Sequence, residues 1–189
     1  MKPYVVVLDD FLEPLEFDLL RSYAWALEYK DQVAPFDGQT YPNIGLPVPE
    51  SVEQRLSVQL SWIMGYKVVP KYVAFRLSLE GSDPPQWAHS DLEVARYNFL
   101  LSLNEGPAST LLLSHMETDM QYHPRNDFEL DVWRRDFNDS SKWHIRAEVD
   151  LAPNRAVIMD SGLIHAADPR RGYGETVHDG RLILLSFFD

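Results

Sequence analysis

The chain has 189 residues, with 17 basic and 29 acidic side chains and a net charge of −12. It has no cysteine, which excludes disulfides, thiolate zinc sites, iron–sulfur clusters and a cysteine nucleophile. The acidic balance makes nucleic acid an unlikely partner, because such surfaces rest on clustered Lys and Arg. In chain order, Tyr4 to Leu8 is β-rich and reads as a first strand. Its apolar run is too short for a signal peptide or a spanning helix, so no membrane association and a cytoplasmic location are expected. Pro14 suits a first helical turn, and Leu15, Leu19, Tyr23 and Leu27 follow at four-residue spacing as one apolar face. Residues 32–49 are rich in Pro and Gly and read as a loop. Pro49 then opens a second helix, with Val52, Leu56, Leu60 and Ile63 along one side.

From Lys67 the pattern changes to short apolar or alternating runs between turn residues. Strands are expected over 72–79, 86–91, 96–103, 110–115, 144–151, 155–160, 163–167 and 181–188, with breaks at 81–85, 104–107 and 153–154. Eight such strands suit a double-sheet jelly roll. The expected fold is therefore mainly β with flanking α: a cupin-like double-stranded β-helix behind N-terminal helices. The length suits one domain, with residues 1–66 packing on a core over 67–189. Two stretches fall outside the strand pattern. Residues 116–126 are polar and irregular. They lead to Asn126, which caps a short helix with Glu129 three positions on and Leu130, Trp133 and Phe137 on its inner side. Residues 168–180 form a polar loop with three glycines, read as a binding loop or a tolerated insertion.

Six histidines occur, but no HExxH, GxSxG or GK[ST], which sets aside the common zinc-protease, serine-hydrolase and phosphate-loop classes. One arrangement remains. In His89-Ser90-Asp91 the imidazole and the carboxylate are two positions apart, and on a strand such positions share a face. With a second histidine from a distant strand, the pair completes a facial triad of two His and one carboxylate, which suits Fe(II) with positions left open. A His-x-acid pair is weak by itself, and His115-Met116-Glu117 is a second one. Context favours the first. It follows a Pro-rich turn and precedes the strand Arg96-Tyr97-Asn98-Phe99-Leu100. Further on, Ala156-Val157-Ile158-Met159-Asp160 turns through Ser161-Gly162 and delivers His165.

The order His89-x-Asp91, distal His165, then Arg181 followed by Leu182-Ile183-Leu184-Leu185 resembles the Fe(II)/2-oxoglutarate-dependent dioxygenases, most of all their prolyl-4-hydroxylase-type branch. The leading helices also match that branch. The resemblance implies an enzyme that uses Fe(II), 2-oxoglutarate and O2 to hydroxylate a C–H bond of a peptide, amino acid or other small molecule. It implies that His89, Asp91 and His165 are metal ligands and catalytic, and that Arg181 pairs with the distal carboxylate of 2-oxoglutarate. A guanidinium fork matches a carboxylate in two-bond geometry. Tyr97 is a second donor to that carboxylate, with Asn98 on the opposite face as its rival. The gap of 181 − 165 = 16 positions is longer than usual in the family, which leaves Arg170 and Arg171 open as alternative anchors. Asp91 itself speaks against halogenation, since related halogenases keep Gly or Ala there. Trp87, Arg76, His115 and Arg125 are weaker candidates for substrate contact, with His123 beside them. Two other classes stay open: a metal-binding cupin-type protein without 2-oxoglutarate chemistry, in which Arg181 faces solvent or pairs with an acid, and a non-catalytic binding module.

Overall fold

The computed structural model describes residues 4–34, 36, 38–82, 84 and 86–189. Its elements are β1 (Val5–Leu8), α1 (Pro14–Trp25), β2 (Tyr29–Val33), β3 (Thr40–Gly45), α2 (Glu50–Met64), β4 (Tyr72–Ser78), β5 (Tyr97–Ser102), β6 (Ala108–His115), α3 (Asp127–Asp136), β7 (Trp143–Leu151), β8 (Ala156–Asp160), β9 (His165–Asp168) and β10 (Arg181–Phe188). Seven strands form one antiparallel sheet in the order β1-β8-β5-β10-β4-β3-β2, and β7-β6-β9 form a second. Two antiparallel sheets facing each other, with neighbours distant in sequence, make a double-stranded β-helix, as the strand pattern predicts.

The large sheet has two differently used faces because side chains alternate along each strand. One face carries Val73, Phe75 and Leu77 of β4, Tyr97, Phe99 and Leu101 of β5, and Leu182, Leu184 and Phe188 of β10, packed with Phe17, Leu20 and Ala24 of α1 and Leu56 and Leu60 of α2. The other face looks across to the small sheet. There Leu100, Val157, Met159 and Ile183 meet Ala108 and Leu151, and the remaining space opens as a cavity. Asn154 joins the leading segment to β8. It takes a left-handed φ of 61°, accepts from the Leu12 amide at 2.9 Å and donates to the Leu12 carbonyl at 2.7 Å.

Three details depart from the sequence pattern, and a fourth concerns a loop whose role the pattern left open. In α1 the buried residues are Phe17, Leu20 and Ala24. Tyr23 and Leu27 pack beside them, whereas Leu15 and Leu19 are exposed. A strict four-residue spacing drifts around a helix of 3.6 residues per turn, and the bulky Phe17 sets the inward face instead. The loop expected over 32–49 contains β3 and the end of β2, a hairpin that extends the large sheet beyond β4. Its Pro and Gly content hid β3, where Pro42 sits at the irregularity in the pairing with the edge strand β2, a place where proline is tolerated. Pro35 and Asp37 in that stretch, and Asp83 and Pro85 in the turn expected at 81–85, lie outside the described residues. Residues 86–91 form no regular strand: His89 makes an isolated bridge to His165. Finally, the loop over 168–180 is fastened to the sheet end. Glu80 donates its amide to the Gly174 carbonyl, and the Asn104 side chain donates to the carbonyls of Val177 and Gly180 at 2.8 and 2.9 Å.

The α1 and α2 faces yield a stability test. Leu60 is fully buried and Leu19 is 64% exposed. Leu60→Ala should cost about 2–5 kcal/mol through lost burial and a residual cavity, and Leu19→Ala no more than about 0.5 kcal/mol. Urea unfolding of both variants measures the difference.

Candidate metal centre

His89, Asp91 and His165 converge. One ligand atom from each lies within 4.8 Å of the others. Nε2 of His89 is 3.8 Å from Asp91 Oδ1, and Nε2 of His165 is 3.3 Å from Asp91 Oδ2. The two imidazole centroids are 4.4 Å apart. The backbone builds this convergence. His89 donates its amide to the His165 carbonyl at 3.0 Å and His165 donates back at 2.9 Å, while the Asp91 amide donates to the Ser161 carbonyl at 2.8 Å. The 86–91 segment is held from its other side by α3 and the residues after it. Trp133 Nε1 donates to the Ala88 carbonyl and the Trp87 amide to Asn138 Oδ1, both at 2.9 Å. Gly162 completes the turn to His165, because a Cβ there would collide with the Tyr122 ring, whose hydroxyl donates to Asp160 at 2.8 Å.

The donor atoms suit a cation. Nδ1 of His89 is 3.0 Å from the Trp87 carbonyl and Nδ1 of His165 is 2.9 Å from the Leu163 carbonyl. Each carbonyl can only accept, so it fixes the proton on Nδ1 and directs Nε2 to the centre, as in metal-bound histidines. Burial, and the His165 charge beside it, push His89 down to about 4. Burial works to raise Asp91, but His165, His89 and the Asn98 hydrogen bond outweigh it and hold the carboxyl below the usual carboxylate range. Burial works to lower His165, but Asp91 raises it above the ordinary histidine value. Asn98 Nδ2 donates to Asp91 Oδ2 at 2.8 Å. Adjacent ligands of one octahedral ion stand about 3 Å apart at metal–ligand distances of about 2.1 Å. The observed separations are close to this, and two imidazoles with one carboxylate are a donor set for Fe(II) or a similar divalent ion.

The triad opens on a cavity of about 310 Å³ between the sheets. Arg76, Asn98, Leu100, Ile183, Leu185 and Arg181 line it from the large sheet and Thr110, Ala166 and Ala167 from the small one, with Leu130, Trp133, Arg134 and Phe137 from α3 and its C-cap. Arg181 is 5% exposed. Burial, and the Arg76 charge, bring its guanidinium down to about 10, so it stays charged at neutral pH. Its Nε is buried without a hydrogen-bond partner. No described carboxylate lies within ion-pair distance of either Arg181 or Arg76. Asn98 Oδ1 and Thr110 Oγ1 are also buried without partners.

The other sequence candidates divide. Arg76 and His123 line the cavity, and His123 Nδ1 is 2.8 Å from Ser90 Oγ. Tyr97 does not reach it. It lies on the helix-covered face against Tyr4 and Phe188, and its neighbour Asn98 holds the inner position, because adjacent strand residues face opposite ways. Trp87 is buried under α3 and lines a small recess of about 40 Å³ that adjoins the main cavity and shares Arg76, His89 and Arg181 with it. Arg170 lies over the Trp87 ring at 5.8 Å, donates to the Asn138 carbonyl and lines the adjoining recess with Arg181, while Arg171 is exposed; neither lines the main cavity. The Arg125 side chain is 75% exposed and pairs with Glu129. His115 is a core residue: Nε2 lies 2.9 Å from Asp136 Oδ2 and Nδ1 3.2 Å from Thr118 Oγ1. Thr110 and Arg134 were missed. Arg134 was readable as the residue four after Leu130 on one helix face; a lone Thr in an apolar strand carries no such signal.

No family model matches the sequence, and no curated protein matches it significantly. Solved structures do match. AviO1 from Streptomyces viridochromogenes Tue57 aligns over 100% of this chain and 90% of its own, at 14% identity and a TM-score of 0.57. EctD from S. alaskensis, in a structure with 2-oxoglutarate and 5-hydroxyectoine, aligns over 98% and 71% at 13% identity and a TM-score of 0.56. EvdO2 from Micromonospora carbonacea var. aurantiaca, complexed with 2-oxoglutarate, aligns over 98% and 86% at 16% identity and a TM-score of 0.55. At these identities the likeness establishes the shared fold. No described helix is long and apolar enough to cross a membrane.

The Asp136 pair gives a pH prediction. Hydrogen bonds from Arg135, opposed by burial and aided by His115, hold the Asp136 carboxyl down to about 2 from 3.8. A depressed folded-state pKa stabilises the fold above the unfolded value and loses that effect as pH falls through the folded one. The melting temperature of the native chain should exceed that of Asp136→Asn above pH ~4, and the difference should shrink toward pH ~2. A constant difference across that window would contradict this.

Proposed function

We propose that this chain is an Fe(II)- and 2-oxoglutarate-dependent oxygenase that hydroxylates a C–H bond of a small molecule. The observation that carries the reading is Arg181, a buried and partnerless guanidinium in the same cavity as the triad. A buried cation without an anion costs several kcal/mol, and a ligand carboxylate at that position would remove the cost. In a metal-binding jelly roll without such a co-substrate, Arg181 would face solvent or an acid. It does neither among the described residues. EctD and EvdO2, which share the fold, have been crystallised with 2-oxoglutarate.

In this reading Nε2 of His89, Nε2 of His165 and one oxygen of Asp91 hold the iron. Asn98 fixes the Asp91 rotamer through its 2.8 Å hydrogen bond. Arg181 takes the distal carboxylate of 2-oxoglutarate through paired, charge-assisted hydrogen bonds. Leu100, Ile183, Leu185 and Ala166 wall the space between, excluding water and strengthening those bonds. When iron and co-substrate are bound, the chemistry they supply is oxidative: 2-oxoglutarate and O2 give succinate and CO2, and one oxygen atom enters the substrate. The prolyl-4-hydroxylase-type resemblance extends the substrate range to a peptide or an amino acid. A cavity of about 310 Å³, at the small end for ligand sites, favours the amino-acid-sized end of that range. The net charge of −12 weighs against nucleic acid.

Succinate release from protein supplied with Fe(II), 2-oxoglutarate and O2, without substrate, tests the reading. Slow uncoupled turnover is expected, with near-complete loss in Asp91→Ala. Arg181→Ala should raise the 2-oxoglutarate requirement about tenfold or more, the effect of losing charged hydrogen bonds, and leave iron binding intact. Iron uptake that 2-oxoglutarate never affects would identify a metal-binding protein of another class, and no uptake at all would identify a binding module.

A further inference from the structure

Once 2-oxoglutarate is assigned to Arg181, a second, half-buried cation in the same cavity still lacks an anion. Arg76 sits in β4 opposite Ile183 of β10 and Ile44 of β3. Arg181 is opposite Ser78, so the two arginines share the inner face at diagonal positions, about 7–8 Å apart at the backbone. The Arg76 guanidinium lies over the Tyr41 ring at 5.5 Å. Tyr41 belongs to β3, on the side of β4 away from β10, so the Arg76 head leans toward the β2–β3 hairpin, with its charge still felt at Arg181. Its Nε is buried without a hydrogen-bond partner, and no described carboxylate pairs with it. Asp91 is the acid that acts on it through space, but Asp91 is already committed to His165 and Asn98. Beyond Arg76 the cavity wall turns aromatic. Phe36, Tyr72 and Phe187 form a cluster with ring centroids 5.7–6.4 Å apart.

We propose that Arg76 anchors a carboxylate carried by the substrate, and that the substrate is a small free acid whose apolar or aromatic body lies against Phe36, Tyr72 and Phe187. This rests on the oxygenase reading, in which Arg181 holds the co-substrate. Two separated guanidiniums on one face receive two different carboxylates, one from each ligand. The aromatic cluster supplies the apolar contact that a carboxylate alone would lack. The carboxylate end, held near the triad, then fixes which carbon of the body faces the metal.

Calorimetric titration of Zn(II)-loaded protein, which cannot turn over, tests this with and without saturating 2-oxoglutarate. The probes are 3-phenylpropanoate, 4-phenylbutanoate, hexanoate and L-phenylalanine, each against its primary amide. Acids should bind about tenfold tighter than their amides, the size of a charged hydrogen-bond pair. In Arg76→Gln the preference should fall to about threefold or less while 2-oxoglutarate affinity stays within about twofold. Arg76→Lys, which keeps the charge but not the fork, should retain an intermediate preference. The proposal is overturned if no pair favours its acid, if Arg76→Gln leaves the preference intact, or if Arg76→Gln weakens 2-oxoglutarate as Arg181→Ala does. Should the native protein fail to bind 2-oxoglutarate, the oxygenase reading falls, and the acid–amide preference measured without it still decides the role of Arg76.

Discussion

Two amides and two carbonyls join His89 to His165, at 3.0 and 2.9 Å, and the candidate site depends on this reciprocal pair. It is a single antiparallel bridge between a segment with no regular structure and the first residue of β9. A bridge of this kind brings side chains on the same side of the two strands close together. That is how two imidazoles 76 positions apart (165 − 89) come to have ring centroids at 4.4 Å. The Asp91 amide is bonded separately, to the Ser161 carbonyl in the turn before His165. Disrupting the bridge would separate the donors without altering any of them.

The electrostatics of the cavity follow from its place between the sheets. Leu100, Ile183, Leu185 and the α3 side chains wall much of it, so a charge inside is poorly solvated and is stabilised by an opposite charge or a hydrogen bond. Asp91 is met by His165 and Asn98. Arg181 and Arg76 have no such partner among the described residues, and Asn98 Oδ1 and Thr110 Oγ1 lack hydrogen bonds. Folded proteins rarely leave buried polar groups unsatisfied. Several together, facing one space, are the groups that the proposed cation at the triad and carboxylates at the arginines would satisfy.

Most of the architecture was legible in the residues. Alternation and turn signals located eight of the nine expected strands to within a few positions, because a strand with one face on the helices and one on the cavity buries both, and its apolar runs are conspicuous. The β2–β3 hairpin was missed because Pro42 at the irregular pairing and Gly45 in β3 read as loop. The inward face of α1 was misassigned because four-residue spacing looks helical on either side of Phe17. Residues 86–91 looked like a strand, yet they are held by isolated contacts: the one bridge to His165 and hydrogen bonds to Trp133 of α3 and to Asn138.

By itself the sequence determined which groups were available: two histidines and an aspartate in a recognisable order, an arginine opening the last strand, and alternation that set Asn98 and Tyr97 on opposite faces. These are local properties, carried by residue type and a period of two. Only the tertiary structure decided which histidines meet, that His115 belongs to Asp136 in the core, that Asn98 and not Tyr97 faces the metal centre, and that Arg76 and Arg181 stand unpaired in one cavity. Partnership between buried charges depends on distances across sheets whose strands are far apart along the chain, and neither residue type nor period carries those distances.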